Sequence, residues 1–209
     1  MIRIVTIERE YGSGAAEIAR KLAERLGWTL WDHALTDEIA RLMDCPSRTV
    51  EAREERNDPL TYRLFKSFMR GSFEGSLNAP RLKMVDADCI REIAQKVVMG
   101  AAEKGNAVIV GRGSAYYLHD RTDALHVFIY APFEQKVRRL ISTGKTESEA
   151  VELVETVDKE RSEYIQKYFN VVEWPLRQLF HLMINSGMGD EMAIETILHA
   201  VSRFDKQPV

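Results

Sequence analysis

The sequence contains little cysteine and no long hydrophobic run. Its two cysteines, Cys45 and Cys89, have the spacing of neither a zinc site nor a disulfide framework, and we interpret them as buried or incidental thiols in a reducing compartment. The longest apolar runs are about as long as a strand, whereas a membrane-spanning helix needs roughly 20 residues. The N-terminus also lacks the basic start and apolar stretch of a signal peptide. These absences predict a cytoplasmic protein that does not cross a membrane.

A strong excess of positive charge is missing as well. The net charge is −3, which gives no general attraction to nucleic acid or to an anionic membrane, so any basic site must be local. The five histidines show no metal-ligand spacing and no nucleophile partner, and we predict no metal site built by the protein. The 209 residues, 45% of them hydrophobic, predict a single α/β domain over residues 1–209.

Residues 2–18 have the pattern of a strand, a glycine turn and a helix. An apolar, β-branched run leads into the glycines, and apolar residues then recur at helical spacing. Such a turn lets backbone N–H groups approach an anion, and the start of the helix adds partial positive charge. An ordinary tight turn is the alternative. The prediction is a phosphate-binding backbone at Tyr11, Gly12, Ser13, Gly14 and Ala15.

Polar residues follow the ends of the next two predicted strands. Asp32 ends a short apolar run at the place where an open α/β sheet binds ligands, although capping of the following helix is the alternative. Arg112 stands between two glycines after another apolar run, and its planar fork can bind two phosphate oxygens. The alternative for Arg112 is a structural ion pair with Asp120 or Asp123.

Two further strands, predicted at 125–130 and 179–184, complete a set of five that alternate with helices. This alternation predicts a mostly parallel sheet that is covered by helices on both faces. Because ligands bind at the carboxyl edge of such a sheet, we expect the glycine turn, Asp32 and Arg112 to meet there.

Two regions differ from this alternation. Residues 46–80 carry many charges and then aromatics among basic residues, which predicts a helical insertion that forms either a flap over the acceptor or the contact of a homodimer. Residues 138–170 form two polar helices joined by a glycine, which predicts a lid that closes over phosphates. A solvent-exposed helical hairpin with ion pairs along its surface is the alternative for that region.

Five segments, taken in order, resemble the cytidylate kinase-like family of bacterial proteins, relatives of the nucleoside monophosphate kinases. They are EREYGSG, VIVGRGSAYYL, VFIYAPFEQKVRRL, DKERSEYIQKYF and a late INSG, which together cover nearly the whole chain. The resemblance implies a three-layer P-loop kinase fold with strand order 2-3-1-4-5, a helical lid, and ATP and Mg²⁺ as cofactors. It implies that Arg112 holds the phosphate of the acceptor. It also implies that a set of lid residues closes on the transferring phosphoryl group: Arg138, Arg139, Asp158 and Arg161.

The glycine turn departs from both the general motif and the family. In the usual loop, G-x-x-x-x-G-K-S/T, the lysine and the hydroxyl residue fall on Ala15 and Ala16 of this chain. Relatives commonly read GSGGRE, so this chain also lacks their arginine at position 16. Arg9, Arg20 or Lys21 could supply the missing cation. Arg20 and Lys21 lie more than one turn into the helix and would have to reach back.

The sequence therefore favours a kinase of the nucleoside monophosphate kinase type. It would move the γ-phosphoryl group of ATP to a small phosphorylated acceptor such as CMP, which Asp32 would bind or orient. No strong general base is needed, because such an acceptor is already an anion. The alternative is a catalytically impaired nucleotide sensor or interaction protein on the same fold, which the alanines at positions 15 and 16 favour.

Overall fold

The computed structural model describes residues 1–32 and 87–204, with the backbone alone for residues 87–90. The predicted insertion at 46–80, with its two possible roles, lies outside the described residues. Within the described ranges, no helix combines the length and the apolar character needed to cross a membrane.

The described strands form one sheet in which every pairing is parallel. They are β1 (Ile4–Arg9), β2 (Thr29–Trp31), β3 (Ala107–Val110), β4 (Ala124–Tyr130) and β5 (Leu182–Asn185), in the spatial order β2-β3-β1-β4-β5. Every residue of the central strand β1 is buried, as expected for a parallel sheet with helices on both faces. The architecture and the strand order confirm the fold predicted from the sequence.

The helices divide between the two faces of the sheet. They are α1 (Ala15–Leu26), α2 (Ala87–Lys104), α3 (Ser114–Tyr117), α4 (Phe133–Ser142), α5 (Glu147–Phe169) and α6 (Asp190–Phe204). Because successive strand residues point to opposite faces, Val5 and Ile7 pack with α1 and α6, whereas Ile4 packs with α2 and α5. The two resulting cores fix the sheet between the helical layers.

The register of the strands brings the loops of the site to one edge. Ile7 of β1 pairs with Val110 of β3 and with Val127 of β4. The Gly111–Arg112–Gly113 turn leaves the sheet where β3 ends opposite Ile7, and the glycine turn follows β1 two residues further on, at the same edge. This is the carboxyl edge, where open α/β sheets bind ligands.

A third, smaller apolar cluster joins the glycine turn to α4 and α5. Tyr11 of the turn packs among Val137 and Leu140 of α4 and Val154 and Val157 of α5. Helix α5 starts at a capping box in which the Thr146 side chain accepts from the N–H of Glu149 and the Glu149 carboxylate accepts from the N–H of Thr146. The helices of the predicted lid thus pack directly on the turn.

The last strand begins later than predicted. The sequence prediction placed it at 179–184, whereas β5 covers Leu182–Asn185 and a 3₁₀ turn covers Arg177–Leu179. Two local hydrogen bonds, from the N–H of Leu179 to the carbonyl of Leu176 and from Phe180 to Arg177, close this turn. The apolar residue Phe180 packs on Phe128 instead of extending the strand.

Candidate active site

The glycine turn is shaped by the close approach of α4. Gly12 and Gly14 have φ values of +77° and +76°, which favour glycine. A Cβ atom at Gly12 would lie 3.0 Å from the Cβ of Lys136, and a Cβ atom at Gly14 would overlap the guanidinium of Arg139. The turn therefore needs glycine at both positions for conformation and for space, and it presents its backbone directly to side chains of α4.

Asp158 of α5 binds the backbone of the turn. Its Oδ1 accepts a hydrogen bond from the N–H of Tyr11 at 2.7 Å, and its Oδ2 lies 3.2 Å from the Nζ of Lys136. Lys136 also donates to Oε2 of Glu10 at 3.0 Å. Burial raises the pKa of the Asp158 carboxyl, while the charges of Arg161 and Lys136 oppose that rise. This buried network ties α4 and α5 to the residues that precede the glycines.

Arg139 holds the other side of the turn. Its guanidinium donates to the backbone carbonyl of Ser13 and, at 2.9 Å, to Oδ1 of Asp190 at the start of α6. The buried hydroxyl of Ser186 donates to the same Ser13 carbonyl at 2.6 Å. Because Arg139 binds a carbonyl and a carboxylate here, it positions the turn in the structure as it stands.

A small cavity lies beside the turn, and we call it the arginine cavity. Its volume is about 10 Å³, enough for one water molecule. Its three arginines are all buried and come from distant parts of the chain: Arg9, 5% exposed, ends β1, Arg112, 2% exposed, follows β3, and Arg161, 7% exposed, lies on α5. The complete lining is Glu8, Arg9, Arg112, Arg161, Ile165 and Trp174.

The charges in this cavity are strongly coupled. Burial is the main cause that lowers the pKa of Arg112 to about 10, and the nearby charge of Arg9 lowers it further, whereas Asp32 raises it. The pKa of Arg161 is also lowered to about 10, again first by burial and then by Arg9. Burial raises the pKa of Glu8. Several guanidinium groups thus share a poorly solvated space in which an anion would reduce their mutual repulsion.

The alternative partners suggested for Arg112 are engaged elsewhere. Asp123 accepts two hydrogen bonds from Arg121, each at 2.8 Å, and Asp120 lies 3.2 Å from the ring of His119. The acidic residues whose charges act on Arg112 are instead Asp32, 4% exposed, and Glu8. The structure therefore brings Arg112 and Asp32 together at the carboxyl edge.

Arg138 lies apart from the other candidate residues. Its side chain is 75% exposed and pairs with Glu134 one helical turn earlier, at 3.4 Å. The structure thus gathers the glycine turn with Asp32, Arg112, Asp158 and Arg161, and it places Arg139 on the far side of the turn.

These segments belong to one recognisable sequence family. The sequence model of the cytidylate kinase-like family matches residues 4–188. The chain belongs to the cytidylate kinase-like family. The match confirms the resemblance noted in the sequence, and no curated protein matches the chain.

Solved structures share the fold of this cytidylate kinase-like protein at low identity. An uncharacterized protein from Eubacterium ventriosum superposes with a TM-score of 0.66 at 21% identity, over 99% of this chain and 100% of that one. Shikimate kinase from Acinetobacter baumannii, in complex with shikimate, gives 0.54 at 15% identity over 99% and 97%. Shikimate kinase from Bacteroides thetaiotaomicron gives 0.53 at 16% identity over 97% and 99%. These likenesses support the P-loop kinase fold.

Sequence reasoning missed several residues of the site. Glu8 lines the arginine cavity, Lys136 bridges Glu10 and Asp158, and Ser186 binds the turn. Glu8 could have been found, because a charged residue inside an otherwise apolar, buried strand needs a reason. The other two carry no comparable signal, since a lysine on a helix and a serine after a strand are usually exposed.

The described residues do not fit a magnesium site built by the protein. Among them, no group of three or more His, Cys, Asp or Glu side chains is placed to bind a metal. Ala16 offers no oxygen, and the hydroxyl of Ser13 donates to the carbonyl of Glu10 at 2.8 Å. Asp158 is engaged by the Tyr11 N–H and by Lys136. No catalytic role in this chain is therefore assigned through Mg²⁺.

Proposed function

We propose that this member of the cytidylate kinase-like family is a phosphotransferase of the nucleoside monophosphate kinase type. It moves the γ-phosphoryl group of ATP to a small phosphorylated acceptor, of which CMP is the first to test. The observation that carries the proposal is the arginine cavity, where the buried guanidiniums of Arg112 and Arg161 lie beside a glycine turn at the start of a helix. Guanidinium groups and helix N-termini both bind phosphate.

Each residue has a proposed task. The backbone from Tyr11 to Ala15 binds the phosphates of the donor, and Arg112 holds the phosphate of the acceptor with Asp32 orienting it. Arg161 neutralises charge that develops during transfer, while Arg139 and Asp158 position the turn. We assign no such task to Arg138, because it is exposed and paired with Glu134. An oxygen of the acceptor phosphate attacks the γ-phosphorus as the bond to ADP breaks, so no general base is required.

The small volume of the cavity supports the proposed lid. At about 10 Å³ the cavity has room for no more than a water molecule, so entry of a whole nucleotide into it would require its walls to separate. Arg161 and Ile165 of that wall lie on α5, within the proposed lid at 138–170. Opening of α5 away from the sheet would admit the acceptor, and closure would return Arg161 to it.

The decisive assay measures ADP formation from ATP with a panel of nucleoside monophosphates in the presence of Mg²⁺. Arg112→Ala is expected to lower kcat/KM for the acceptor at least about 100-fold, because a buried guanidinium that binds phosphate is lost. Arg25→Ala is the control, since Arg25 lies at the surface and pairs with Glu191 and Glu195. If the wild type shows no turnover above Arg112→Ala with any acceptor, the proposed reaction is wrong.

A non-catalytic nucleotide sensor is the second candidate. Two observations favour it: Ala15 and Ala16 replace the usual lysine and hydroxyl residue, and Asp158 already occupies the N–H of Tyr11. Calorimetry with ATP and CMP separates the candidates, because a sensor binds nucleotide without turning it over.

Two further proposals concern the location and the assembly of the protein. We propose that it acts in the cytoplasm and that residues 46–80 hold two copies together. Light scattering of a variant that lacks residues 46–80 would test the second proposal.

A further inference from the structure

The loss of the usual lysine raises the question of which cation faces the donor phosphates. Arg20 donates to Glu17 at 2.6 and 2.9 Å and to Glu24 at 2.5 Å, all on the exposed side of α1. Lys21 lies 3.8 Å from Glu17 and 3.6 Å from Glu191, also near the surface. Both side chains are therefore committed to ion pairs on the outside of the helix.

Arg9 has a different environment. It is the last residue of β1 and is only 5% exposed. Its Nε and one terminal nitrogen are buried and have no hydrogen-bond partner among the described residues. Such buried donors are costly unless a ligand or water binds them, because they have lost their hydrogen bonds to bulk water. A guanidinium can only donate, so the fitting partner is an acceptor such as a phosphate oxygen.

The side chain of Arg9 lies between the two halves of the site. It lines the arginine cavity, and together with Arg161 it also lines a second cavity formed by the glycine turn. Its guanidinium packs against Gly111, where a Cβ atom would overlap a terminal nitrogen. A glycine before Arg112 thus leaves the space that Arg9 occupies, and Arg9 touches both the donor side and the acceptor side.

We infer that Arg9 supplies the cation that is missing from the lysine position of the phosphate loop, and that it binds the phosphoryl group passing between the two cavities. The inference rests on the proposed function for its donor and acceptor sides. In the transfer, an oxygen of the acceptor phosphate forms a bond to the γ-phosphorus while the bond from that phosphorus to the departing ADP oxygen breaks. Arg9 keeps its protons throughout and stabilises the negative charge of the transferring group.

The surrounding charges agree with an anion at this place. Arg9, Arg112 and Arg161 all line the arginine cavity, and each repels the others. Glu8, Asp32 and Asp158 oppose them; Asp158 lies 3.6 Å from Arg161, and it shares its charge with Lys136 and the N–H of Tyr11. A phosphoryl group between Arg9 and Arg161 would meet two guanidiniums, of which Arg9 still has buried donors to offer.

The test measures binding and turnover separately. Arg9→Ala is compared with Arg20→Ala, which removes the same charge from the exposed side of the same loop–helix unit. Binding of inorganic pyrophosphate is measured by calorimetry. Arg9→Ala is expected to weaken pyrophosphate binding at least about ten-fold and to lower kcat at least about 100-fold, with Arg20→Ala close to wild type. Methylguanidinium added to Arg9→Ala is expected to restore part of both losses.

The outcomes separate this inference from the proposed function. If the wild type binds pyrophosphate without turning over any monophosphate and Arg9→Ala loses the binding, Arg9 is the phosphate-binding cation of the loop, whereas the kinase proposal fails and the role of Arg9 in transfer fails with it. If the wild type turns over an acceptor and Arg9→Ala does so equally well, the inference fails and the kinase proposal stands. A wild type that does not bind pyrophosphate also overturns the inference. Should Arg9→Ala not fold, Arg9→Gln decides, with unchanged pyrophosphate affinity as the contrary result.

Discussion

The carboxylate of Asp158 accepts a hydrogen bond from the backbone N–H of Tyr11 at 2.7 Å, although 147 residues separate the two along the chain. A side chain of α5 thus binds the first residue of the glycine turn at a backbone donor of the kind that phosphate loops use for phosphate. The same carboxylate lies 3.2 Å from the Nζ of Lys136 on α4. This contact makes the shape of the turn dependent on the helices of the proposed lid.

Lys136 and Asp158 are expected to be energetically coupled. Lys136→Met and Asp158→Asn each leave a buried charge without one partner, so each alone should lower the free energy of unfolding, while the double variant removes both charges. We expect a coupling free energy of about 1–3 kcal/mol from urea unfolding of the four proteins in a double-mutant cycle. Additive losses would show that the ion pair contributes nothing to the stability of the turn.

Gly14→Ala should damage the turn more than its backbone conformation alone explains. The added Cβ atom would overlap the guanidinium of Arg139, which binds the carbonyl of Ser13. Gly27→Ala is the matched control, because Gly27 also has a positive φ but nothing lies within 4 Å of its Cβ position. We expect Gly14→Ala to cost at least about 1 kcal/mol more than Gly27→Ala in urea unfolding. Equal costs would mean that Arg139 moves aside freely.

Trp174 should report the entry of an acceptor. It lines the arginine cavity, its ring packs edge-on against Phe128 at 5.5 Å, and its Nε1 is buried without a hydrogen-bond partner among the described residues. A substrate that accepts a hydrogen bond from this N–H should change the tryptophan emission. It should also bind about 3- to 10-fold more tightly to wild type than to Trp174→Phe. Trp28→Phe, which alters the core on the α1 side, should keep both the signal and the affinity. A signal that survives in Trp174→Phe would place the acceptor elsewhere.

The fold follows from local patterns, and the site only partly does. The five strands and the longer helices that separate them are marked by apolar patterns, with only the start of β5 misplaced, so the alternation that predicts a parallel sheet needs no tertiary information. Arg112 and Asp32 could be placed because a strand end has a fixed location in such a sheet. The directions of the Arg138 and Arg139 side chains could not be predicted. Both residues lie on one turn of α4, and only the packing of that helix decides which side chain faces the glycines. The ion pairs that hold Arg20 and Lys21 at the surface were also visible only in the structure.

His126 gives the protein a predictable response to acid. Its ring is 2% exposed, and a hydrogen bond of 2.7 Å joins its Nδ1 to the hydroxyl of Thr6. The backbone N–H of His126 donates to Nδ1 of His181 at 2.9 Å, and the two rings stack with centroids 5.2 Å apart. Burial, followed by the charge of His181, lowers the pKa of His126 to about 4.

Because the folded state holds His126 neutral, acidification should destabilise the protein through this residue. The pKa of an unfolded histidine is about 6.5, so the unfolded chain takes up a proton between about pH 6.5 and pH 4 that the folded chain does not. The contribution of His126 is therefore fully present above that window and is lost as the pH falls through it, by up to about 1.4 kcal/mol per pH unit. The free energy of unfolding of His126→Asn, measured in urea, should fall less steeply on acidification than that of the wild type. The asparagine keeps a hydrogen-bond partner for Thr6.

Other titrating residues do not disturb this comparison. Glu8 and Asp158, whose raised pKa values act in the opposite direction, are present in both proteins and cancel in the difference. His199→Asn changes an exposed histidine on α6 and should follow the wild type, whereas parallel curves for wild type and His126→Asn would show that His126 accepts its proton in the folded state.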